Sequence, residues 1–354
     1  MPKQIHILLI GPITNVKENL IGGATISFGH LIDYLEANGE AFTVVNTKYF
    51  VNGFMRFLNP FLIVINVLLH ISKADVLFLN SSRGGAKYLV PILVFLAKIF
   101  GRKFVFRPFG GNIKTYTSDY SPIWQWILNK SLIRTDLFFL QTKALVEYYK
   151  NLDYNALHLP TSRNSIPYSF SKKTTVFNKR FIYLGAITKT KGVDEIMTVS
   201  KQLPKDYTIH LYGPIIDQGY KRLFDEQQGI YKGILQKNEV LETLRNYDIL
   251  ILPTYYEGEG YPGVIIEAYS LGIPVITTNW LAIPEIVENG KTGQLINIQS
   301  SESLLKAMQY FNTGNYPDYT QNALALFQDK FDTEKVIKKA LKAIKAIVVG
   351  FINP

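Results

Sequence analysis

Leu252-Pro-Thr-Tyr-Tyr-Glu-Gly-Glu259-Gly-Tyr-Pro-Gly263-Val-Ile-Ile-Glu267-Ala-Tyr-Ser-Leu-Gly-Ile-Pro-Val275 decides how this 354-residue chain is read. The apolar residues 249–252 read as a buried strand, and a Gly-rich turn leads from them into a helix that starts near Pro262-Gly263. Residues 274–277 read as the next strand. A helix start of this kind leaves free backbone N–H groups at the positive end of the helix dipole, which makes it an anion site. Glu259 lies in the turn just before it, and Glu267 about one turn into the helix. Carboxylates are poor phosphate ligands but good acceptors for hydroxyls. A ribose and a sugar, one on each side of a diphosphate, would use both.

The same alternation runs outward in both directions. Residues 180–184 and 207–212 read as strands, with helices over 194–202, 238–245 and 264–271. Upstream, 5–10, 42–45, 74–79, 103–106 and 137–141 read as strands. Helical patterns follow Gly22-Gly23 (through Ile26, Leu31, Ile32 and Leu35) and cover 88–100 and 124–132. From about 151 to 179 the rhythm fades into Pro, Ser, Thr and Asn, the composition of a linker. Strand–helix alternation implies an α/β chain of open parallel sheets with helices on both faces. The expected division is 1–165, 166–330 and a C-terminal helix within 331–354. That helix places Val336, Ile337, Ala340, Leu341, Ile344, Ile347 and Val348 on one face and Lys335, Lys338, Lys339, Lys342 and Lys345 around the rest. Its apolar face either packs on the protein or lies on a membrane surface.

Composition narrows the function. Hydrophobic residues make up 47% and charged residues 19%, which excludes a mostly disordered chain. With no cysteine, disulfide scaffolds, thiolate zinc sites and cysteine nucleophiles are excluded, and five scattered His argue against a His metal site. The net charge of +10 is uneven: residues 1–170 carry 17 Lys/Arg against 9 Asp/Glu, and 171–354 carry 21 against 19. The first half therefore expects an anionic partner. Nucleic acid is not expected, because no recognition motif accompanies the charge. No secretion signal is visible, and the longest apolar stretch, 57–71, contains Asn59, Pro60 and Asn66 and falls short of the ~20 residues of a spanning helix. A cytoplasmic protein is expected. Tyr49-Phe50, Phe54, Phe57 and Phe61 around Arg56 either dock it peripherally on an anionic inner membrane face or belong to the core.

Glu259-Gly-Tyr-Pro-Gly-Val-Ile-Ile-Glu267-Ala268 resembles, nearly residue for residue, the mark of the family 4 retaining glycosyltransferases of the GT-B fold: Glu, seven residues, Glu. Gly272-Ile-Pro-Val-Ile and Ile283-Pro-Glu-Ile-Val-Glu-Asn-Gly290-Lys-Thr-Gly293 strengthen the likeness, which is specific from about 181 to 296. The resemblance implies two Rossmann-like domains facing across a cleft, acceptor side first and nucleotide-sugar side second, with the last helix packing back on the first domain. It implies that Glu259 faces the donor sugar, Glu267 binds the ribose, and the Gly263 and Val264 amides hold the diphosphate. Lys191, in Leu184-Gly-Ala186-Ile-Thr-Lys189-Thr-Lys191-Gly192, matches the family lysine that neutralises the leaving diphosphate. The family arginine is Ala186 here, and Lys189 is no equivalent of it at a phosphate. Gly233-Ile234 corresponds to the strand end that reads the base through its backbone, and Gly23 to the Gly-Gly loop near donor and acceptor. Where relatives carry a His near the donor sugar, this chain has Phe106-Arg107-Pro-Phe-Gly110-Gly111-Asn112, so that Arg107 or the glycine amides serve instead, unless Arg107 is an ordinary surface charge.

The implied activity is transfer, with retention, from a nucleotide diphosphate sugar (UDP- or GDP-linked) to a hydroxyl of a glycan or lipid-linked acceptor in polysaccharide or glycolipid synthesis. No cofactor is implied, and the absence of any Asp-x-Asp agrees with metal-independent transfer. The missing arginine and histidine motivate the alternative of a catalytically degenerate protein that binds nucleotide sugar or glycan without turnover.

Overall fold

The computed structural model describes residues 4–13, 23–49, 57–109, 120–166, 176–226 and 229–350. Gly22, Phe50, Phe54, Arg56 and Gly110-Gly111-Asn112 lie outside them. Two compact units emerge: Met1–Thr161 with Thr333–Pro354, and Ser162–Asp332.

The first unit alternates β1 (Ile7–Gly11), α1 (Gly23–Ala37), β2 (Phe42–Asn46), α2 (Asn59–His70), β3 (Val76–Ser82), α3 (Arg83–Ile99), β4 (Lys103–Phe109), α4 (Pro122–Leu132), β5 (Leu137–Leu140), α5 (Lys143–Lys150) and β6 (Ala156–His158). All six strands are parallel, in the order β2-β1-β3-β4-β5-β6. Alternate residues feed two cores: Leu77, Leu79, Phe104 and Phe106 face the layer with Ile63, Val67, Leu93 and Leu128, while Val76, Phe78 and Val105 face α1. Residues 333–349 return to this unit as a helix. Its Val336, Ile337, Ala340, Leu341 and Ile344 are buried in the core with Phe28, Leu31 and Leu35 of α1. Of the two sequence readings of that helix, packing on the protein is the observed one, and Lys345 adds an ion pair with Glu40 at 2.6 Å.

Helices α2, α3 and α4 behave differently. Each buries one apolar stripe and carries a second that faces outward at three- and four-residue spacing. The exposed residues are Phe61, Ile65, Leu68 and Leu69 on α2, Tyr88, Ile92, Phe95 and Ile99 on α3, and Ile123 and Trp126 on α4. Phe57 and Phe61 are therefore exposed and not part of the core.

The second unit runs β7 (Arg180–Leu184), α6 (Val193–Ser200), β8 (Thr208–Tyr212), α7 (Gly219–Glu226), α8 (Val240–Leu244), β9 (Ile249–Leu252), α9 (Gly263–Ser270), β10 (Val275–Thr278), β11 (Gly293–Ile296), α10 (Ser301–Tyr310) and α11 (Tyr316–Lys330), after which α12 is Thr333–Val349. Its five parallel strands lie in the order β11-β10-β9-β7-β8. β9 and β10 are buried at every position, as a sheet covered on both faces requires. The strand order reverses between β7 and β9. In open α/β sheets, ligands bind beyond the carboxyl ends of the strands at such a switch point.

Candidate functional site

The loops that leave β7 and β9 carry the residues singled out by sequence. After β7, Gly185–Thr188 lead to a tight 3-10 turn, Lys189–Lys191, closed by Gly192 in the left-handed region (φ 76°). A Cβ on Gly192 would lie 2.2 Å from the Pro253 carbonyl oxygen, so only glycine lets the two loops come this close. One backbone bond ties the loops together, from Tyr255 N to the Thr190 carbonyl at 2.8 Å. Lys191 is thereby brought to Glu259: Nζ to Oε2 is 2.5 Å. The same carboxylate oxygen accepts from the buried Thr254 hydroxyl at 2.9 Å. The Lys191 ammonium also lies 4.9 Å from the centre of the Tyr256 ring. Burial pushes the Tyr183 phenol above its ordinary pKa, and the Glu259 charge pushes it the same way.

α9 begins at Gly263, as the sequence predicts. Its N-cap, Pro262, supplies no side-chain hydrogen bond, and its first turn holds no acid. The Ile265 amide is taken by the Pro262 carbonyl at 3.1 Å, which leaves the Gly263 and Val264 amides to a ligand or water. Glu267, one turn in, is held by Arg163, whose Nε donates to Oε1 at 2.7 Å. One carboxylate–cation pair thus precedes α9 and the other lies one turn into it, with no side-chain cap on the helix start between them. Thr254 and Arg163 were not read as site residues from the sequence. Thr254 sits two residues past a strand with nothing to mark it, and Arg163 lies in the stretch read as linker.

The other sequence-selected residues are placed as follows. Ala186 contributes its carbonyl, which accepts from the Tyr183 hydroxyl at 2.6 Å, and Lys189 is exposed. The Gly233 carbonyl accepts from Gly213 N at 2.9 Å, which anchors that strand end beside β8, and the Ile234 side chain is exposed. Gly23 opens α1 in the first unit. Arg107, also in the first unit, is no surface charge: it is buried at the end of β4, donates to the Pro160 carbonyl at 3.3 Å, and stacks 4.9 Å from the Phe109 ring centre. Burial lowers its pKa to about 10, which leaves it charged at neutral pH. Beside it in register, Asn80 is fully buried with neither amide atom partnered among the described residues. Among the described residues, no group of three or more His, Asp or Glu is placed to hold a metal ion, and no helix is long and apolar enough to cross a membrane.

Two parallel-sheet units with these topologies are the architecture of the GT-B glycosyltransferases, and the chain has that fold. HepE of Anabaena, crystallised with UDP and glucose, superposes with a TM-score of 0.71 over 97% of this chain and 100% of its own, at 16% identity. Sucrose-phosphate synthase of Thermosynechococcus elongatus superposes with a TM-score of 0.77 over 98% and 100%, at 15% identity. In sequence, residues 178–312, which lie within the second unit, match the family model described as Glycosyl transferases group 1. Similar proteins include the capsular polysaccharide biosynthesis glycosyltransferase CapM of Staphylococcus aureus, 31% identical over 34% of this chain and 34% of its own length. The sulfoquinovosyl transferase SQD2 of Arabidopsis thaliana is 26% identical over 46% of this chain and 29% of its own length. The chain thus spans about a third of the length of these two relatives.

Proposed function

We propose that the chain is a retaining glycosyltransferase. It takes its sugar from a nucleotide diphosphate sugar, UDP- or GDP-linked, and passes it to a hydroxyl of a glycan or lipid-linked acceptor in polysaccharide or glycolipid synthesis. The observation that carries the reading is the pairing at the β7/β9 switch point: Lys191 with Glu259 and Arg163 with Glu267, on either side of the uncapped start of α9. The Gly263 and Val264 amides and Lys191 take the diphosphate, Glu267 accepts from the ribose hydroxyls through its remaining oxygen, and Glu259 faces the sugar. Gly233 and Ile234 offer backbone groups to the base, and in the first unit Gly23 and Arg107 take the roles the resemblance implies. In the transfer step the acceptor oxygen bonds to the anomeric carbon as the bond to phosphate oxygen breaks, and the acceptor proton passes to the departing diphosphate. Lys191 and the helix end stabilise the charge that grows there. The reading uses no protein nucleophile, metal or cofactor.

A peripheral place on an anionic membrane is part of the proposal. It is supported by the outward apolar stripes of α2, α3 and α4 and the cations at the same ends of these helices.

Purified protein offered a panel of UDP-, GDP-, ADP- and TDP-sugars should release or transfer sugar from one of them, with the anomeric configuration kept and no loss on adding EDTA. Glu267→Ala should weaken nucleotide binding at least tenfold. No turnover across the panel, together with unchanged nucleotide binding in Glu267→Ala, overturns the reading.

A further inference from the structure

Arg163 is the cation that this site was missing in the sequence. It lies just past β6, and its backbone is pinned to the end of α11: Arg163 N donates to the Phe331 carbonyl at 3.0 Å, and Arg163 bridges Asp332 in parallel. The side chain is more than nine-tenths buried. Nε is committed to Glu267 Oε1 at 2.7 Å and Nη1 to the Ser162 carbonyl at 3.0 Å. Nη2 is different. A Cβ on Gly263 would lie 2.1 Å from it, so it rests directly on the first residue of α9. Among the described residues it has no acceptor.

A guanidinium offers five N–H groups and accepts nothing. Here its unspent donors sit beside the backbone donors at the start of α9, which have no side-chain cap. Donors converging on one place from a charged fork and a helix N-terminus call for an anion, and a guanidinium fork matches phosphate oxygens geometrically. The arginine that the resemblance expects after β7 is Ala186, whose side chain has no donor to offer a phosphate.

The geometry points to Arg163 as the second diphosphate-binding cation, which reaches α9 from the segment after β6 and complements Lys191 from the turn after β7. Gly263 is then glycine because Arg163 must lie against it. This role rests on the reading of α9 as the diphosphate site.

The test is to titrate UDP and GDP, and the nucleoside of whichever binds, into wild type and Arg163→Met. Wild type should bind one nucleoside diphosphate. Arg163→Met should weaken that binding at least tenfold and leave the nucleoside affinity within about twofold. Arg163→Lys should fall between them. Because Arg163→Met leaves Glu267 without its cation, the double variant Arg163→Met/Glu267→Gln, measured against Glu267→Gln alone, repeats the comparison with no orphaned carboxylate. Equal losses for nucleoside and diphosphate, or no loss for either, overturn the phosphate role while the proposed function stands. Wild type that binds no nucleoside diphosphate overturns both.

Discussion

At the scale of single residues, the Lys191–Glu259 pair makes a prediction that separates stability from activity. The side chains are 20% and 10% exposed, so the pair is mostly out of water. Removing one partner of a buried pair strands the other and costs about 3–5 kcal/mol, while replacing both is far milder. Lys191→Met should therefore destabilise the second unit by about 2–4 kcal/mol, the lower end reflecting the remaining exposure and the Thr254 hydroxyl still bonded to Glu259. Lys191→Met/Glu259→Gln should recover most of that in denaturant titration and stay inactive in sugar transfer. A double variant as unstable as Lys191→Met alone would mean the lysine acts structurally through groups other than Glu259. Glu259, Glu267 and Lys191 stand out in the sequence because each sits within a short, ordered run of neighbours around a strand end or a helix start. Arg163 was not: it meets Glu267 across 104 positions of sequence, from a stretch whose mixed Pro, Ser, Thr and Asn carry no period. No local pattern announces a contact made entirely by tertiary placement.

At the scale of elements, what positions the site is how closely two loops approach. The buried strands were read correctly because full burial leaves a plain signature, a continuous apolar run. Less was legible where burial is one-sided or short. The three-residue β6 lies inside the presumed linker, while α7, α10 and α11 carry mixed surfaces and were not picked out. The strand order, and with it the switch point, lies beyond any local reading because it depends on which strand pairs with which. At that switch point the turn after β7 can meet the turn after β9 only because Gly192 has no Cβ. Gly192→Ala would have to hold a left-handed φ and also push back the Pro253 carbonyl, which lies 2.2 Å from the new methyl. Strained backbone alone costs on the order of 1–3 kcal/mol, so the total should reach about 3 kcal/mol or more, with Lys191 displaced from Glu259. Gly290→Ala is the control: its φ of 79° is as strained, but a Cβ there meets nothing within 4 Å. It should cost about 1 kcal/mol, the penalty of the backbone alone. Equal thermal shifts for the two would show that the approach of the two loops is not what Gly192 serves.

At the scale of the whole molecule, the charge surplus and the exposed apolar surface coincide. Monomeric soluble proteins rarely show contiguous apolar patches beyond a few hundred Å². Yet α3 packs between α2 and α4 with outward Phe61, Phe95 and Trp126 each more than 60% exposed. Lys73, Lys98, Arg102, Lys130 and Arg134 gather where these helices end, which is the same end for all three because the helices connect parallel strands. Lys98 is tied to Asp136, while Lys73, Lys130 and Arg134 are exposed. Apolar side chains rimmed by cations suit the boundary of an anionic bilayer, where each basic residue near the surface contributes about 1 kcal/mol. Two copies of the chain meeting through this face would set like charges near one another, which disfavours a dimer as the occupant. The protein should co-sediment with vesicles rich in phosphatidylglycerol, bind far more weakly to neutral vesicles, and lose much of its affinity in high salt as the charges are screened. Lys130→Gln/Arg134→Gln should weaken binding by about 2 kcal/mol, and Phe61→Ser/Phe95→Ser/Trp126→Ser should abolish it without lowering the melting temperature, since these side chains touch solvent. Light scattering supplies the opposing outcome: a dimer in solution that the triple serine variant dissociates, with no vesicle binding by either form, would assign the face to a second copy of the chain and remove the membrane from the proposal.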